Sequence, residues 1–349
     1  MSTTNWPGTA KVGERDKRDR IAGRDDRRGS VLIISSAGDE HARAVATELD
    51  RLGVHHFLLD LAQFPETIGL ILRYTNGGSP VSMLRGVGGA DINLADVRAV
   101  WYRRPQPFRI APQLTRPSHR AFAYNEAHEA VAGLWQTLDV FWMNHPTRDE
   151  VAARKAYQLK VAVASGLEIP RTLISNDPDE VRRYLDERGS QETIYKSFSA
   201  TELEWRETRL VGADELTVLD QVRHAPVIFQ EYVPAVVDLR VTVVGDDIFA
   251  AGIHSQDTRY RVDFRIDMNR ASIEAHSLPG DVESCVRDLV RRLGLVYGAI
   301  DMRLTPDGRY VFLEVNPAGQ WLFIEGRTGQ PITAAVARTL AHAGIDFDA

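Results

Sequence analysis

The chain has 349 residues, 44% of them hydrophobic and 26% charged, enough apolar material for two or three globular domains. Its net charge of −6 argues against a general nucleic-acid binder, and its one cysteine, Cys285, excludes an internal disulfide and a cysteine-rich zinc site. No run of 18 apolar residues occurs and the first thirty residues contain no apolar signal core, so a cytoplasmic protein with no membrane span is expected.

Residues 1–30 are rich in Arg, Lys, Asp and Gly with almost nothing to bury, which predicts a disordered tail. Order is expected to begin at Val31-Leu32-Ile33-Ile34, a short apolar run suited to a buried parallel strand, followed by a loop and a helix through Leu49. Strands at 56–59 and 97–102 complete an open α/β domain over residues 31–143, with a long helix at 118–138. Arg103 and Arg104 follow the third strand, where open sheets bind ligands, and are expected either to meet a peptide carboxylate or to form surface ion pairs. Gly86-Val87-Gly88-Gly89 lacks the third glycine and the helix of a dinucleotide fingerprint, and no Walker loop exists.

Pro146 predicts an extended Asn144-His145, and Thr147 with Glu150 reads as the capping box of a helix carrying Lys155 and Lys160. Residues 144–229 form a second unit with strands near 172, at 193–196 and at 227–232. The segment 202–207, Glu-Leu-Glu-Trp-Arg-Glu, reads equally as part of a lid or as an exposed hairpin anchored by its Trp. Residues 230–349 form a third unit, an antiparallel sheet covered by helices. His254 is expected as a satisfied strand residue there. The helix at 282–293 has apolar residues at 282, 285, 286, 289, 290 and 293, with Asp281 as N-cap and Gly294 past its end. That stripe predicts Cys285 as a buried structural thiol.

Two strands follow, 296–304 and 309–316, separated by Asp307-Gly308, a strong hairpin signal. A two-residue type I′ loop sets Asp301 directly across from Glu314, and Asn316 on the same face. Opposed carboxylates repel unless a cation lies between them, and hard oxygen ligands with few carboxylates suit magnesium shared with substrate phosphates. Lys155, Lys196, Arg240 and Arg265 offer cations for those phosphates.

The pattern resembles the ATP-grasp superfamily over about residues 31–345, which implies an α/β domain followed by two α+β lobes clasping ATP. By that resemblance Lys155, after Asn144-His145-Pro146, and Lys196, after Tyr195, hold the phosphates. Gln230-Glu231-Tyr232-Val233 matches the adenine-contacting linker strand, Asp238 sits at the ribose, and Arg240 points to the phosphates. Asp301, Glu314 and Asn316 are the magnesium ligands, and Arg240 and Arg265 stabilise charge at the transferring phosphoryl group. The stretch after Lys196 lacks the family's glycine-rich phosphate loop.

A closer likeness is to the microviridin or graspetide macrocyclases, carried by Trp101-Tyr102-Arg103-Arg104-Pro105, Asp238-Leu239-Arg240-Val241, Asp263-Phe264-Arg265 and Asn316-Pro317-Ala318-Gly319-Gln320-Trp321. It implies a homodimer that binds the leader of a ribosomal precursor peptide, phosphorylates core Asp or Glu side chains with ATP, and closes ω-ester or ω-amide rings with Ser, Thr or Lys. A ligase adding a free amino acid to a carboxylate, and a nucleotide-binding scaffold without turnover, are the alternatives.

Overall fold

A computed structural model describes residues 29–198, 208–254 and 271–343. The expected tail, the 202–207 segment and Arg265 with its Asp263-Phe264 neighbours lie outside these residues. Strand β1 (Ser30–Ile34) is buried at every position, as its unbroken apolar run requires. Asp39 caps α1 (Glu40–Arg51) by accepting from the His41 and Ala42 amides. After β2 (His56–Leu59) comes a three-stranded antiparallel meander of β3 (Gly69–Arg73), β4 (Val81–Val87) and β5 (Ala90–Asn93), which the sequence reading did not anticipate. The glycine cluster makes its tight turn: Val87 pairs with Ala90 across Gly88 and Gly89, at φ +58° and +83°, where only glycine enters cheaply at both positions. Strand β6 (Val97–Tyr102), helix α2 (Pro117–Gln136) and β7 (Phe141–Met143) finish a parallel sheet of order β2-β1-β6-β7.

The helix expected to begin at Thr147 is two helices, α3 (Pro146–Ala152) and α4 (Lys155–Ala164). His145, not Thr147, is the N-cap of the first: its Nδ1 accepts from the Thr147 amide, and Pro146 occupies the first helical position, where its missing N–H costs nothing. The break at Ala153-Arg154 places Lys155 on the first turn of α4. A small antiparallel sheet follows, of order β10-β9-β11-β8, from β8 (Thr172–Ser175), β9 (Thr193–Lys196), β10 (Arg209–Leu210) and β11 (Val227–Glu231), with α5 (Pro178–Arg188) and α6 (Ala213–Thr217).

The last sheet has the order β14-β13-β12-β15-β16, from β12 (Val237–Val244), β13 (Asp247–Ile253), β14 (Ile273–His276), β15 (Tyr297–Leu304) and β16 (Tyr310–Asn316). Helix α7 (Gly280–Leu293) has Pro279 at its N-cap rather than the expected Asp281, which lies inside its first turn, and is closed by left-handed Gly294. Helices α8 (Leu322–Thr328) and α9 (Ile332–His342) close the described chain.

Alternation in the last sheet sorts its two faces. Leu239, Val241, Ile300, Met302 and Val315 point to a core shared with α4 and α7. On the other side, Ala251, Ile253, Tyr297 and Ala299 join α9 and Trp321 in one core with Val31, Ile33, Trp101 and Met143 of the parallel sheet. The parallel sheet and the last sheet are therefore welded by a common apolar layer. The small sheet has its own core of Val181, Leu185, Val211, Leu219 and Phe229.

Candidate active site

Asp301 pairs with Glu314 in the β15–β16 ladder, as the sequence register requires, but by a different route. The hairpin loop has three residues, Pro306 to Gly308, closed by the Thr305 amide on the Arg309 carbonyl at 3.0 Å, with Gly308 at φ +86°. That loop shifts the register by one residue, and an irregularity between Asp301 and Met302 leaves Leu313 unmatched and shifts it back. Asn316 then lies opposite Ala299, on the Asp301–Glu314 face.

Arg240 on β12 pairs directly with Asp301 on β15, and its Nε is 3.1 Å from Asp301 Oδ1. Lys155 reaches the same face from the start of α4 and donates from Nζ to Glu314 Oε2 at 2.6 Å. Each of the two facing carboxylates thus has a cation from another element. Gln158, one turn along α4, donates to the Val315 carbonyl at 2.8 Å and accepts from its amide at 3.1 Å, pinning the strand beside Glu314. Among the described residues, no three His, Cys, Asp or Glu side chains gather as a metal cage. Two carboxylates and an amide with adjoining cations fit a magnesium that takes its remaining oxygens from phosphates and water.

Lys196 lies on the small sheet opposite Ile228, so it shares a face with Gln230, two residues along β11. Gln230 is buried and donates to Thr172 Oγ1 at 2.9 Å. Glu231 accepts weakly from the Arg171 amide at 3.4 Å. A cavity of about 630 Å³ opens between α4 and β8, lined in part by Ala156, Leu159, Lys160, Pro170, Arg171 and Thr172.

Residues 30–150 match the family described as the MvdD pre-ATP grasp domain, and residues 152–340 match the RimK-like ATP-grasp domain. The chain belongs to the ATP-grasp family. The macrocyclase MdnC of Microcystis aeruginosa MRC, solved bound with precursor peptide MdnA, is 30% identical with a TM-score of 0.80, over 90% of this chain and 99% of that one. A RiPP-associated ATP-grasp ligase of Chryseobacterium gregarium, solved with ADP and a leader and core peptide, is 25% identical with a TM-score of 0.82, over 89% and 96%. Ribosomal protein bS6–L-glutamate ligase of Escherichia coli O7:K1 is 25% identical over 218 residues, 58% of this chain and 70% of that protein. This ATP-grasp chain is an ATP-dependent ligase.

Several residues of the ligase have partners that the sequence did not reveal. Asp238, expected at the ribose, is 2% exposed and receives Arg303 Nε at 2.8 Å. Arg303 also donates to the Val233 carbonyl at 2.7 Å and lies 5.2 Å from the Tyr232 ring, so it ties the linker to β12. An arginine inside an apolar strand was the available signal.

Arg103 is neither a surface ion pair nor exposed to a peptide: it is 2% exposed, and its Nη1 donates to the carbonyls of Ala318 and Gly319, the latter at 2.8 Å. Burial lowers its pKa to about 10, which leaves it charged at neutral pH. Asn144 is buried with its whole side chain engaged. It donates to the Tyr297 and Pro317 carbonyls at 2.9 and 3.1 Å and accepts from the Val296 and Tyr297 amides at 2.8 and 2.9 Å.

The Gly319-Gln320-Trp321 motif has a packing explanation. A Cβ on Gly319 would fall 2.2 Å from the Ala299 Cβ, so only glycine passes here. Trp321 is fully buried among His41, Trp101 and Tyr297.

Proposed function

We propose that this ligase matures a ribosomally made precursor peptide, activating Asp or Glu side chains of its core with ATP and magnesium and closing ω-ester or ω-amide rings with Ser, Thr or Lys. The observation that carries this reading is the extent of the likeness: macrocyclase similarity runs through both the parallel-sheet domain and the ATP-grasp region, whereas the glutamate-ligase match covers 58% of the chain. A homodimer belongs to the same reading.

Hydroxide is too poor a leaving group for direct acylation, so a peptide carboxylate oxygen takes the γ-phosphoryl group of ATP, releasing ADP, and leaves later as phosphate when the hydroxyl or amine attacks the acyl carbon and gives up its proton. In our assignment Asp301, Glu314 and Asn316 hold magnesium, which neutralises charge on the β- and γ-phosphate oxygens when bound. Lys155 exchanges Glu314 for a phosphate, and Lys196 approaches from the small sheet. Gln230, Glu231, Tyr232 and Val233 receive the adenine. Asp238 is assigned to the ribose, and through Arg303 it also fixes that linker. Arg240, beside Asp301, supports the negative charge of the tetrahedral intermediate, and Arg265 is assigned the same task from the sequence resemblance. The residues do this by position and charge.

The test is mass spectrometry of a precursor peptide incubated with enzyme, ATP and magnesium. Loss of one water mass per ring supports macrocyclisation. Gain of an amino-acid residue mass establishes instead the free-amino-acid ligase that the bS6 ligase resemblance favours, and unchanged mass across cognate peptides with ADP release overturns the peptide substrate.

A further inference from the structure

The segment from Pro317 to Leu322, directly after Asn316, is held by three residues that the chemistry above does not use. Asn144 donates to the Pro317 carbonyl at 3.1 Å, and Arg103 to the carbonyls of Ala318 and Gly319. His41 Nε2 accepts the amides of Trp321 and Leu322 at 3.0 and 3.3 Å. Arg103 and Asn144 directly follow β6 and β7, and His41 lies on the first turn of α1 beyond the end of β1, so all three stand at the C-terminal edge of the parallel sheet. The Ala318 amide in turn donates to Asn316 Oδ1 at 3.0 Å, so the backbone held from below sets the side chain of the third assigned metal ligand. The same segment passes Arg240, whose Nη1 is 3.4 Å from where a Gly319 Cβ would sit.

We propose that Arg103 and His41, oriented by Asp39, are positioning residues of the ligase reaction, holding the 317–322 segment so that Asn316 faces the metal and Arg240 faces the reacting carboxyl group. This rests on the metal assignment made above and makes the parallel-sheet domain a working part of the metal site. The chemistry of both contacts is demanding. Accepting two amides requires a lone pair on His41 Nε2, hence a neutral ring with its proton on Nδ1, which stands 3.5 Å from Asp39 Oδ1. Burial lowers the His41 pKa and favours that neutral form. Asp39 also faces Arg103 Nε at 3.5 Å and accepts from Ser35 Oγ at 2.9 Å, so one carboxylate aligns both positioning groups. An arginine buried between Trp101 and Trp321, 6.0 and 5.1 Å from their rings, adds less stability than a well-packed apolar side chain would, which points to its bonds with the two carbonyls.

The experiment titrates full-length protein with ADP in the presence of Mg²⁺ and, separately, with ADP in EDTA, by calorimetry. The proteins are wild type, Arg103→Lys, His41→Leu, His41→Gln and, as a control destabilised away from the nucleotide, Leu84→Ala, in the core under the β3–β5 meander. Loss of outer contacts to metal ligands weakens metal binding by about 10- to 100-fold. Arg103→Lys and His41→Leu are expected to lose about tenfold in affinity for Mg·ADP and nothing for metal-free ADP, while His41→Gln, whose amide oxygen can accept, keeps most of it. Equal losses in both titrations, unchanged Mg·ADP affinity in Arg103→Lys and His41→Leu, or the same pattern in Leu84→Ala would overturn the positioning role alone. Wild type binding ADP no better with Mg²⁺ than without overturns the metal assignment and this inference with it.

Discussion

Lys155–Glu314 and Arg240–Asp301 are both ion pairs on one sheet face, but they differ in exposure, and the difference separates stability from chemistry. The first pair has side chains 23% and 23% exposed, the second 9% and 11%. Solvated pairs contribute about 0–1 kcal/mol, whereas stripping one partner from a buried pair costs about 3–5 kcal/mol. Lys155→Ala is therefore expected to unfold in urea within about 1 kcal/mol of wild type. Its ADP release is expected to fall by at least about 100-fold. Asp301→Asn should lose activity as well, but with a clear drop in the urea midpoint, because Arg240 keeps its charge in a nearly closed site. Equal stability losses in the two variants would contradict this ranking.

Asp149 offers a titration at the same scale. Burial pushes its carboxyl up to about 6, against opposing contributions from the nearby Asn144 amide and the Arg103 charge, and among the described residues its Oδ1 has no hydrogen-bond partner. Because the folded pKa lies above the unfolded one, the native state binds more protons between about pH 4 and 6, and stability falls as pH rises through that window. His41, with its pKa lowered by burial, works in the opposite direction: its destabilising contribution disappears as pH rises through the ordinary histidine range. Asp149→Asn removes only the first effect. It is expected to match wild type at pH 4 and to be about 1–3 kcal/mol more stable at pH 8 in urea unfolding. A variant less stable at pH 8 than at pH 4, relative to wild type, would refute this sign.

At the scale of elements, the β15–β16 hairpin shows what local sequence can and cannot carry. Asp307-Gly308 signalled the turn and the Asp301–Glu314 pairing, yet the three-residue loop and the unmatched Leu313 compensate each other in a way no alternation rule reveals. The β3–β5 meander escaped because its glycine turn was weighed as a nucleotide motif, and the α3–α4 break because Ala153-Arg154 contains no helix breaker. Gly319 is the element-level constraint with the sharpest consequence. Gly319→Ala must push the 317–322 segment off Ala299, so turnover and melting temperature are both expected to fall. Adding Ala299→Gly removes the colliding atom, and the double variant should regain melting temperature and activity over Gly319→Ala. If the two substitutions only add their losses, the close approach is not the cause.

Across the whole molecule, the welding of the parallel sheet to the last sheet was beyond the sequence reading, because it depends on contacts such as Val31, Trp101 and Trp321 meeting in one core from distant segments. Asn144, Arg103 and His41 were readable as residue types but not as partners of residues more than 150 positions away. The same core map ranks the parts by stability. The small sheet β8–β11 rests on five buried apolar residues of its own, while β1, β12 and β15 share the two largest cores. Local opening free energy follows buried apolar contact, so amides of β8, β9 and β11 are expected to exchange with deuterium faster than those of β12 and β15. Lys196 and Gln230 lie on that sheet, so Mg·ADP binding should tie it to the rest. At about a hundredfold excess over Kd the ligand adds about 2.7 kcal/mol, slowing exchange in β9 and β11 by up to about 100-fold while β1 changes little. Exchange of β8–β11 in step with β12 in the free protein would mean that the small sheet does not open as a separate unit, and that nucleotide closes nothing that was open before.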